Sequence, residues 1–240
     1  MASSRTLTGV LLTAFPAGPL QANCYFVASG PGQPCAIVDP GQQSAEGVRA
    51  VVAEHELRPA AVLVTHGHFD HMWDAKQVAD EFGCPLWIHP ADRHLLADPM
   101  AAISNESAAM LREQIGDIDP SQFGEPADVR DAVDGATIEV GDLTITVDHC
   151  PGHTPGTVAY RVDYIGPEPV SQIMFSGDFL FFGSIGRTDL VGGDHAEMLR
   201  SLQSKILTLP DDVVVLPGHG QQSSIGREKQ TNPFLLELMA

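Results

Sequence analysis

Apolar residues along the chain fall into short runs with one longer periodic pattern set between them. Residues 7–15, 22–29 and 35–38 read as strands, each bounded by Gly, Pro, Asp or Ser. The third ends in the turn Asp39-Pro40-Gly41. Residues 44–57 instead place Val48, Val51 and Val52 at helical spacing, with Ser44 as the expected N-cap. Pro59 interrupts, and 60–64 forms the next strand. Residues 73–82 read as a helix closed by Gly83, and 86–88 as a short strand. The first third therefore runs β-β-β-α-β-α-β, an alternating α/β pattern.

The stretch 90–131 breaks this rhythm. It offers helical pieces at 93–97 and 105–115, then a stretch, 117–129, with two prolines and few periodic cues, expected as a loop. A long excursion of this kind reads equally as a surface detour or as a lid over a site. Residues 137–140 and 143–149 alternate as a hairpin about Gly141-Asp142. The Gly- and Pro-rich CPGHTPGTVAYRVD then feeds a strand, and 173–176 is another, ending at Gly177-Asp178. FLFFGSIGRTDLVGGD reads as a loop. Asp194 caps a helix through 207, with Met198, Leu199, Leu202 and Ile206 on its apolar face. Residues 213–216 deliver PGHG, and 225–240 is helical with a break near Pro233. The second half thus repeats the habit of the first, a strand followed by a polar loop. No linker divides the chain, so 1–240 is expected as one domain, two sheets with helices outside.

Composition narrows the partners. The chain has 240 residues, 43% of them apolar, enough for a substantial core. No apolar run approaches the ~20 residues needed to span a bilayer. Arg5 and the run 10–15 faintly resemble a signal peptide, but Pro16 breaks that run, so a first strand is expected. A net charge of −18 with only 13 Lys plus Arg repels phosphate backbones, which argues against a nucleic-acid partner. Cys24, Cys35, Cys84 and Cys150 form no CxxC pair, and reduced thiols in a cytoplasm are the simpler expectation.

The chemistry concentrates in 62–74, VLVTHGHFDHMWD. His66, His68, Asp70 and His71 follow a strand within six residues. Imidazole and carboxylate suit zinc, iron and manganese. A strand that ends abruptly throws successive side chains to different sides, so one loop can serve two neighbouring cations, with Gly67 leaving room. Position picks the remaining ligands. His153, Asp178 and His219 each follow a strand and sit next to a glycine. His66, His68, His153 and Asp178 are expected on one cation, and Asp70, His71, His219 and Asp178 on the other. Asp178 bridges, because a carboxylate has two oxygens to share. His55, His94 and His195 are ordinary polar positions. His89 lacks a partner motif, and His149 is at most a support to His153.

THGHFDH, PGHTPG, FSGDFLFFGSIGRTD and LPGHG, in this order, resemble the metallo-β-lactamase fold family over nearly the whole chain. The resemblance implies a four-layer αββα sandwich of two mixed β-sheets flanked by helices, with a metal pair at one edge. Asp178 in place of cysteine is unlike the antibiotic-degrading β-lactamases. HxHxDH is unlike the HxExDH of the flavodiiron branch. NCYF, GHTPG, GRTD and REKQTNPFL are most similar to glyoxalase II-type hydrolases in their short bacterial form. That likeness implies hydrolysis of S-(2-hydroxyacyl) thioesters such as S-lactoylglutathione, by a hydroxide held between two divalent cations ~3.5–4 Å apart. Zinc is the expected metal, with iron or manganese as alternatives, and Asp70 both ligates and orients the hydroxide. The implied partner is a small-molecule thioester, without nucleic acid or membrane. The long helical C-terminal extension of the larger enzymes is absent, which leaves the carrier thiol open. Arg187 is expected either to hold a substrate carboxylate or to form a buried pair with Asp189, while Arg227 and Lys229 are surface charges. Two rivals share the pattern: a persulfide dioxygenase with one iron on His66, His153 and Asp178, and a lactone or other ester hydrolase.

Overall fold

The computed structural model describes residues 5–7, 10–103, 122–164, 166 and 168–240. The expected helical piece 105–115 and the start of the 117–129 loop lie outside them.

Seven strands form the first sheet in sequence order. They are β1 (Arg5–Leu7), β2 (Val10–Ala17), β3 (Ala22–Ala28), β4 (Pro34–Val38), β5 (Arg58–Leu63), β6 (Leu86–Ile88) and β7 (Val129–Asp131). β1 to β4 pair antiparallel, and β4 to β7 pair parallel. The second sheet carries β8 (Thr137–Val140), β9 (Leu143–His149), β10 (Val158–Asp163) and β11 (Gln172–Gly177). A small hairpin, β12 (Leu180–Phe181) with β13 (Ser184–Ile185), precedes its last two members, β14 (Val214–Pro217) and β15 (Ser223–Ser224). Among the described residues only β11 and β14 pair parallel in this sheet. Both sheets are therefore mixed, as expected.

The strand sequences dictate the layering. In β3, Cys24, Phe26 and Ala28 enter one core while Tyr25 and Val27 enter another. β4 splits the same way, Cys35 and Ile37 against Ala36 and Val38. Both faces of the first sheet are thus buried, which is why its strands read as unbroken apolar runs. Its outer face is covered by α1 (Ala45–Glu54), through Val48 and Val51, and by α3 (Ala75–Phe82), through Val78 and Ala79. Its inner face meets Ile145, Val147, Tyr160, Ile173 and Phe175 of the second sheet. Met174 and Val215 point out of that sheet to meet Met198, Leu202, Ile206, Ile225 and Leu235. These come from α4 (His195–Ser201), the wider turn Leu202–Ile206 that prolongs it, α5 (Ile225–Thr231) and α6 (Pro233–Met239). The order of layers is helix, sheet, sheet, helix. No helix among the described residues is long and apolar enough to cross a membrane.

Several local expectations change. The 44–57 helix stops at Glu54, and Ser44 makes no capping bond with its side chain. The Asp74 carboxylate instead accepts from the Ala45 N–H at 2.8 Å, a cap delivered from a distant part of the chain. The 73–82 helix begins at Ala75, preceded by the single turn α2 (Phe69–Met72) that carries Asp70 and His71. Val129, the end of the expected 117–129 loop, opens an edge strand that runs to Asp131 and pairs with β6. The expected Asp194 cap is present, accepting from the Glu197 N–H at 2.9 Å.

Strand direction places the functional loops. β4, β5 and β6 are parallel and end at one edge. β9, β11 and β14 share a direction in the second sheet. The two edges are joined where they meet. The Val158 N–H donates to Thr65 O at 2.8 Å, and the Asn23 N–H to Gly218 O at 2.7 Å. The Tyr160 hydroxyl, wholly buried, donates to Val64 O at 3.0 Å.

Candidate metal centre

His66 and His68 leave the end of β5, and α2 carries Asp70 and His71 immediately after. His153 follows β9, Asp178 follows β11 and His219 follows β14. The structure brings all seven together. The His68 Nδ1 lies 3.0 Å from His66 Nε2 and 2.9 Å from His153 Nε2. His71 Nε2 lies 3.2 Å from His219 Nε2 and 3.3 Å from Asp178 Oδ1. His219 Nε2 is 3.2 Å from Asp70 Oδ2. Asp178 Oδ2 is 3.7 Å from His153 Nε2 and 3.7 Å from His219 Nε2. Three groups have the spacing of a cation shell: His66-His68-His153, His66-His71-Asp178 and Asp70-His71-His219. Nitrogen ligands bound at ~2.0–2.1 Å around a tetrahedral ion sit ~3.3 Å from one another, which matches these separations.

The outer ring nitrogens explain which atoms face inward. His153 Nδ1 donates to Arg187 O at 2.7 Å, and His219 Nδ1 to Leu20 O at 3.1 Å. His71 Nδ1 donates to Asp39 Oδ2 at 2.9 Å. Thr65 Oγ1 gives its own proton to Asp39 Oδ2 at 2.6 Å and so accepts from His66 Nδ1 at 3.1 Å. With Nδ1 donating outward, each of these four rings turns its Nε2 inward to a ligand position. Asp178 Oδ1 is buried without a hydrogen-bond partner among the described residues. A carboxylate oxygen held against imidazole nitrogens in this way is what a divalent cation satisfies, so the donor set fits a metal pair. Gly218 makes room for it, since a Cβ there would collide with Asp178 Oδ1 and stand 2.6 Å from His71 Cε1.

The metallo-beta-lactamase superfamily pattern matches residues 17–219. The chain belongs to the metallo-beta-lactamase superfamily. It is 37% identical over 220 residues to the probable metallo-hydrolase YqgX of Bacillus subtilis, spanning 92% of this chain and 95% of that one. It is 33% identical over 226 residues to the hydroxyacylglutathione hydrolase GloC of Haemophilus influenzae, spanning 92% and 95%. Among solved structures it resembles the BLEG-1 B3 metallo-beta-lactamase, with a TM-score of 0.75, 36% identity and coverage of 93% and 99%. A second superfamily structure, solved in a di-iron-bound form, matches with a TM-score of 0.69, 33% identity and coverage of 92% and 99%. With these relatives and its own histidine–aspartate clusters, the chain is a metal-dependent hydrolase of the superfamily fold.

Electrostatics divides the centre into two halves. Burial, with the neighbouring imidazoles, pushes His66 well below the ordinary histidine range and His68 down to about 3. Burial also lowers His153. These rings are neutral at pH 7 and ready to ligate. For His71 burial works in the same direction, but Asp178 and Asp70 outweigh it and raise this ring well above its usual value. Burial would raise the Asp178 carboxyl, yet His71, His153 and His219 hold it far below the carboxylate range. Against burial, Asp70 and Asp178 raise His219 as well, so this half favours protonated imidazole in the metal-free chain, and a cation bound there would displace the proton.

Two carboxylates near the centre carry no motif in the sequence reading. Asp39 follows β4, with φ at 50°, and orients both Thr65 and His71. Asp92 follows β6 and is fully buried. The Arg187–Asp189 pair is present, with two 2.7 Å contacts, but it is exposed where a buried pair was expected. The Arg187 carbonyl, not its guanidinium, touches the centre. Arg227 lies over the Phe182 ring, 3.3 Å from the centroid, and Lys229 pairs with Asp211 at 2.9 Å. His149 stacks on His89 at 3.9 Å and donates from Nε2 to Pro155 O at 2.9 Å, bracing the PGHTPG loop. The four cysteines are free and buried. Burial pushes Cys35 up to about 12 and Cys84 to about 11, so neither is a nucleophile at neutral pH.

Proposed function

We propose that this chain hydrolyses S-(2-hydroxyacyl) thioesters of a low-molecular-weight thiol, as a binuclear hydrolase of glyoxalase II type. The observation that carries the two-ion part is Asp178 Oδ2, 3.7 Å from an imidazole of each ligand group. His66, His68 and His153 would hold one ion, Asp70, His71 and His219 the other, and Asp178 would be shared. Zinc fits this nitrogen and oxygen set, and so do iron and manganese. The thioester part is supported by the likeness to GloC of Haemophilus influenzae.

Bound divalent cations supply a water nucleophile at neutral pH and Lewis-acid stabilisation of the oxyanion. The chain's own residues set where that chemistry happens. His71 is inaccessible while the His219 side chain is 30% exposed, so substrate approaches from the His219 side. Leu20 and Phe182 are exposed apolar residues of the two loops around it, and the Phe181 ring stands 6.4 Å from the His219 ring. Asp70, beside His219, is placed to accept a hydrogen bond from the attacking water and hold its orientation. A thiolate leaves readily near neutral pH, so the site needs no strong general acid.

The test is a substrate panel on the zinc-, iron- and manganese-loaded chain. It contains S-lactoylglutathione, thioesters of other small thiols, a lactone, a β-lactam and glutathione persulfide with oxygen uptake recorded. The β-lactam is included because the 36%-identical BLEG-1 is a B3 metallo-beta-lactamase. Preferred thioester turnover is expected. Oxygen uptake with the persulfide, or β-lactam cleavage without thioester cleavage, overturns the proposal.

A further inference from the structure

Asp92 is a fully buried carboxylate beside the centre that is not one of its ligands. Its Oδ2 accepts from the Gly67 N–H at 2.9 Å and from Thr154 Oγ1 at 2.6 Å. Its Oδ1 accepts from the Gly156 N–H at 2.8 Å. Gly67 lies between His66 and His68, and Thr154 directly follows His153. The three ligands of one cation group thus hang on two loops, from different sheets, that grip the same carboxylate.

The glycines show that both loops are shaped around this segment. A Cβ on Gly156 would stand 2.5 Å from Asp92 Cγ, and one on Gly67 would stand 2.9 Å from Leu95 Cβ. His68 Nδ1 and His153 Nε2, which meet at 2.9 Å across the two loops, lie beyond the clasp. None of the hydrogen bonds to the Asp92 carboxylate comes from Asp70, His71 or His219. Their outer support comes from Asp39 and from Leu20 O.

We propose that Asp92 is a positioning residue that clamps the THGH and GHTPG loops together and so sets the affinity of the His66-His68-His153 cation, leaving the Asp70-His71-His219 cation independent of it. The carboxylate suits the task because three donors from two loops converge on it and it has oxygens for all of them. An asparagine does not, because its amide nitrogen would face a donor whichever way it turned. With one donor unsatisfied the loops lose their fixed separation, and a cation binding there has to restore it. The proposal rests on the metal centre and not on the thioester reading.

The experiment titrates the metal-free full chain with Zn²⁺ and Co²⁺ against a chromogenic chelator. His153→Ala and His219→Ala serve as references that assign each Co²⁺ absorption band to its ion. Asp92→Asn is expected to weaken the ion missing from His153→Ala by about 10–100-fold, the usual cost of losing support behind a ligand. The other ion stays within about twofold. Thr154→Val should weaken the same ion, and Thr154→Ser, which keeps the hydroxyl, should restore it. Both ions unchanged in Asp92→Asn overturns the clamp. So does an equal loss of both in step with a lowered Tm, which is the behaviour of a merely structural residue. Should Asp92→Asn not fold, the Thr154 pair decides, and indistinguishable Val and Ser variants overturn the clamp. A wild-type chain that binds fewer than two ions removes the centre and the clamp together. Two bound ions without thioester turnover contradict only the substrate.

Discussion

Asp39→Asn tests how far the His71 half depends on support from outside the ligand set. Asp39 is 2% exposed, and both of its oxygens are committed. Oδ1 accepts from the Thr65 N–H at 2.7 Å, and Oδ2 accepts from Thr65 Oγ1 at 2.6 Å and His71 Nδ1 at 2.9 Å. Asparagine can turn its amide nitrogen to either position. Toward the Thr65 N–H it sets two donors face to face in a buried site, at a cost of about 1–3 kcal/mol. Toward His71 it obliges Nδ1 to accept, which moves the ring proton to Nε2 and removes the lone pair that should ligate. That cost falls on the metal-free and metal-loaded chain alike, so the first outcome shows as a lowered Tm and not as lost affinity. Loss of the outer partner of a ligating histidine costs about 10–100-fold in general. The second outcome is a loss of that kind, so the ion on Asp70, His71 and His219 should be weakened by about 10–100-fold. A chelator competition, with the Tm of the metal-free forms alongside, reads this out. Both ions held within about twofold of wild type would refute the reasoning.

Zinc loading at pH 7 should release protons from His71 and His219, both raised, counted by calorimetry in buffers of different ionisation enthalpy. The sign follows from the raised His71 value. Its contribution to metal-free stability is complete below about pH 6.5 and is lost as pH rises through the raised value, while metal affinity climbs over the same window. No release would mean a ring already neutral. Tyr160→Phe deletes the buried bond to Val64 O and should cost about 1 kcal/mol in urea unfolding, with metal content unchanged; no loss of stability contradicts that bond's role. Arg187→Ala keeps the carbonyl that orients His153, so metal content and kcat should stay within about twofold of wild type. A raised KM would place the guanidinium on the substrate, and lost metal would contradict the carbonyl's role.

Much of the sandwich was legible because strands buried on both faces write long apolar runs, as 22–29 and 35–38 do. The seven candidate ligands are legible from position, since each follows a strand end, and the structure brings them together. Asp39 and Asp92 follow β4 and β6, but neither adjoins a glycine, so the same rule passes over them. Asp39 was read as a turn because Asp-Pro-Gly carries a strong local signal of its own. Asp92 lies past the end of β6 in the excursion that breaks the α/β rhythm, where no local motif marks it. Other differences have tertiary causes. Ser44 occupies the cap position, but the cap comes from Asp74, thirty positions on. The turn α2 is too short for any periodicity to report. β7 is a three-residue edge strand with Arg130 and Asp131 exposed, so Val129 is its one apolar position, too little for a pattern.

Anomalous diffraction from crystals of the metal-loaded chain, collected above the edge of the bound metal, tests the central claim most directly. The account predicts two peaks, one ringed by His66, His68 and His153 and the other by Asp70, His71 and His219, with Asp178 touching both. A single fully occupied peak, with the Asp70, His71 and His219 group empty in metal-saturated crystals, would contradict it.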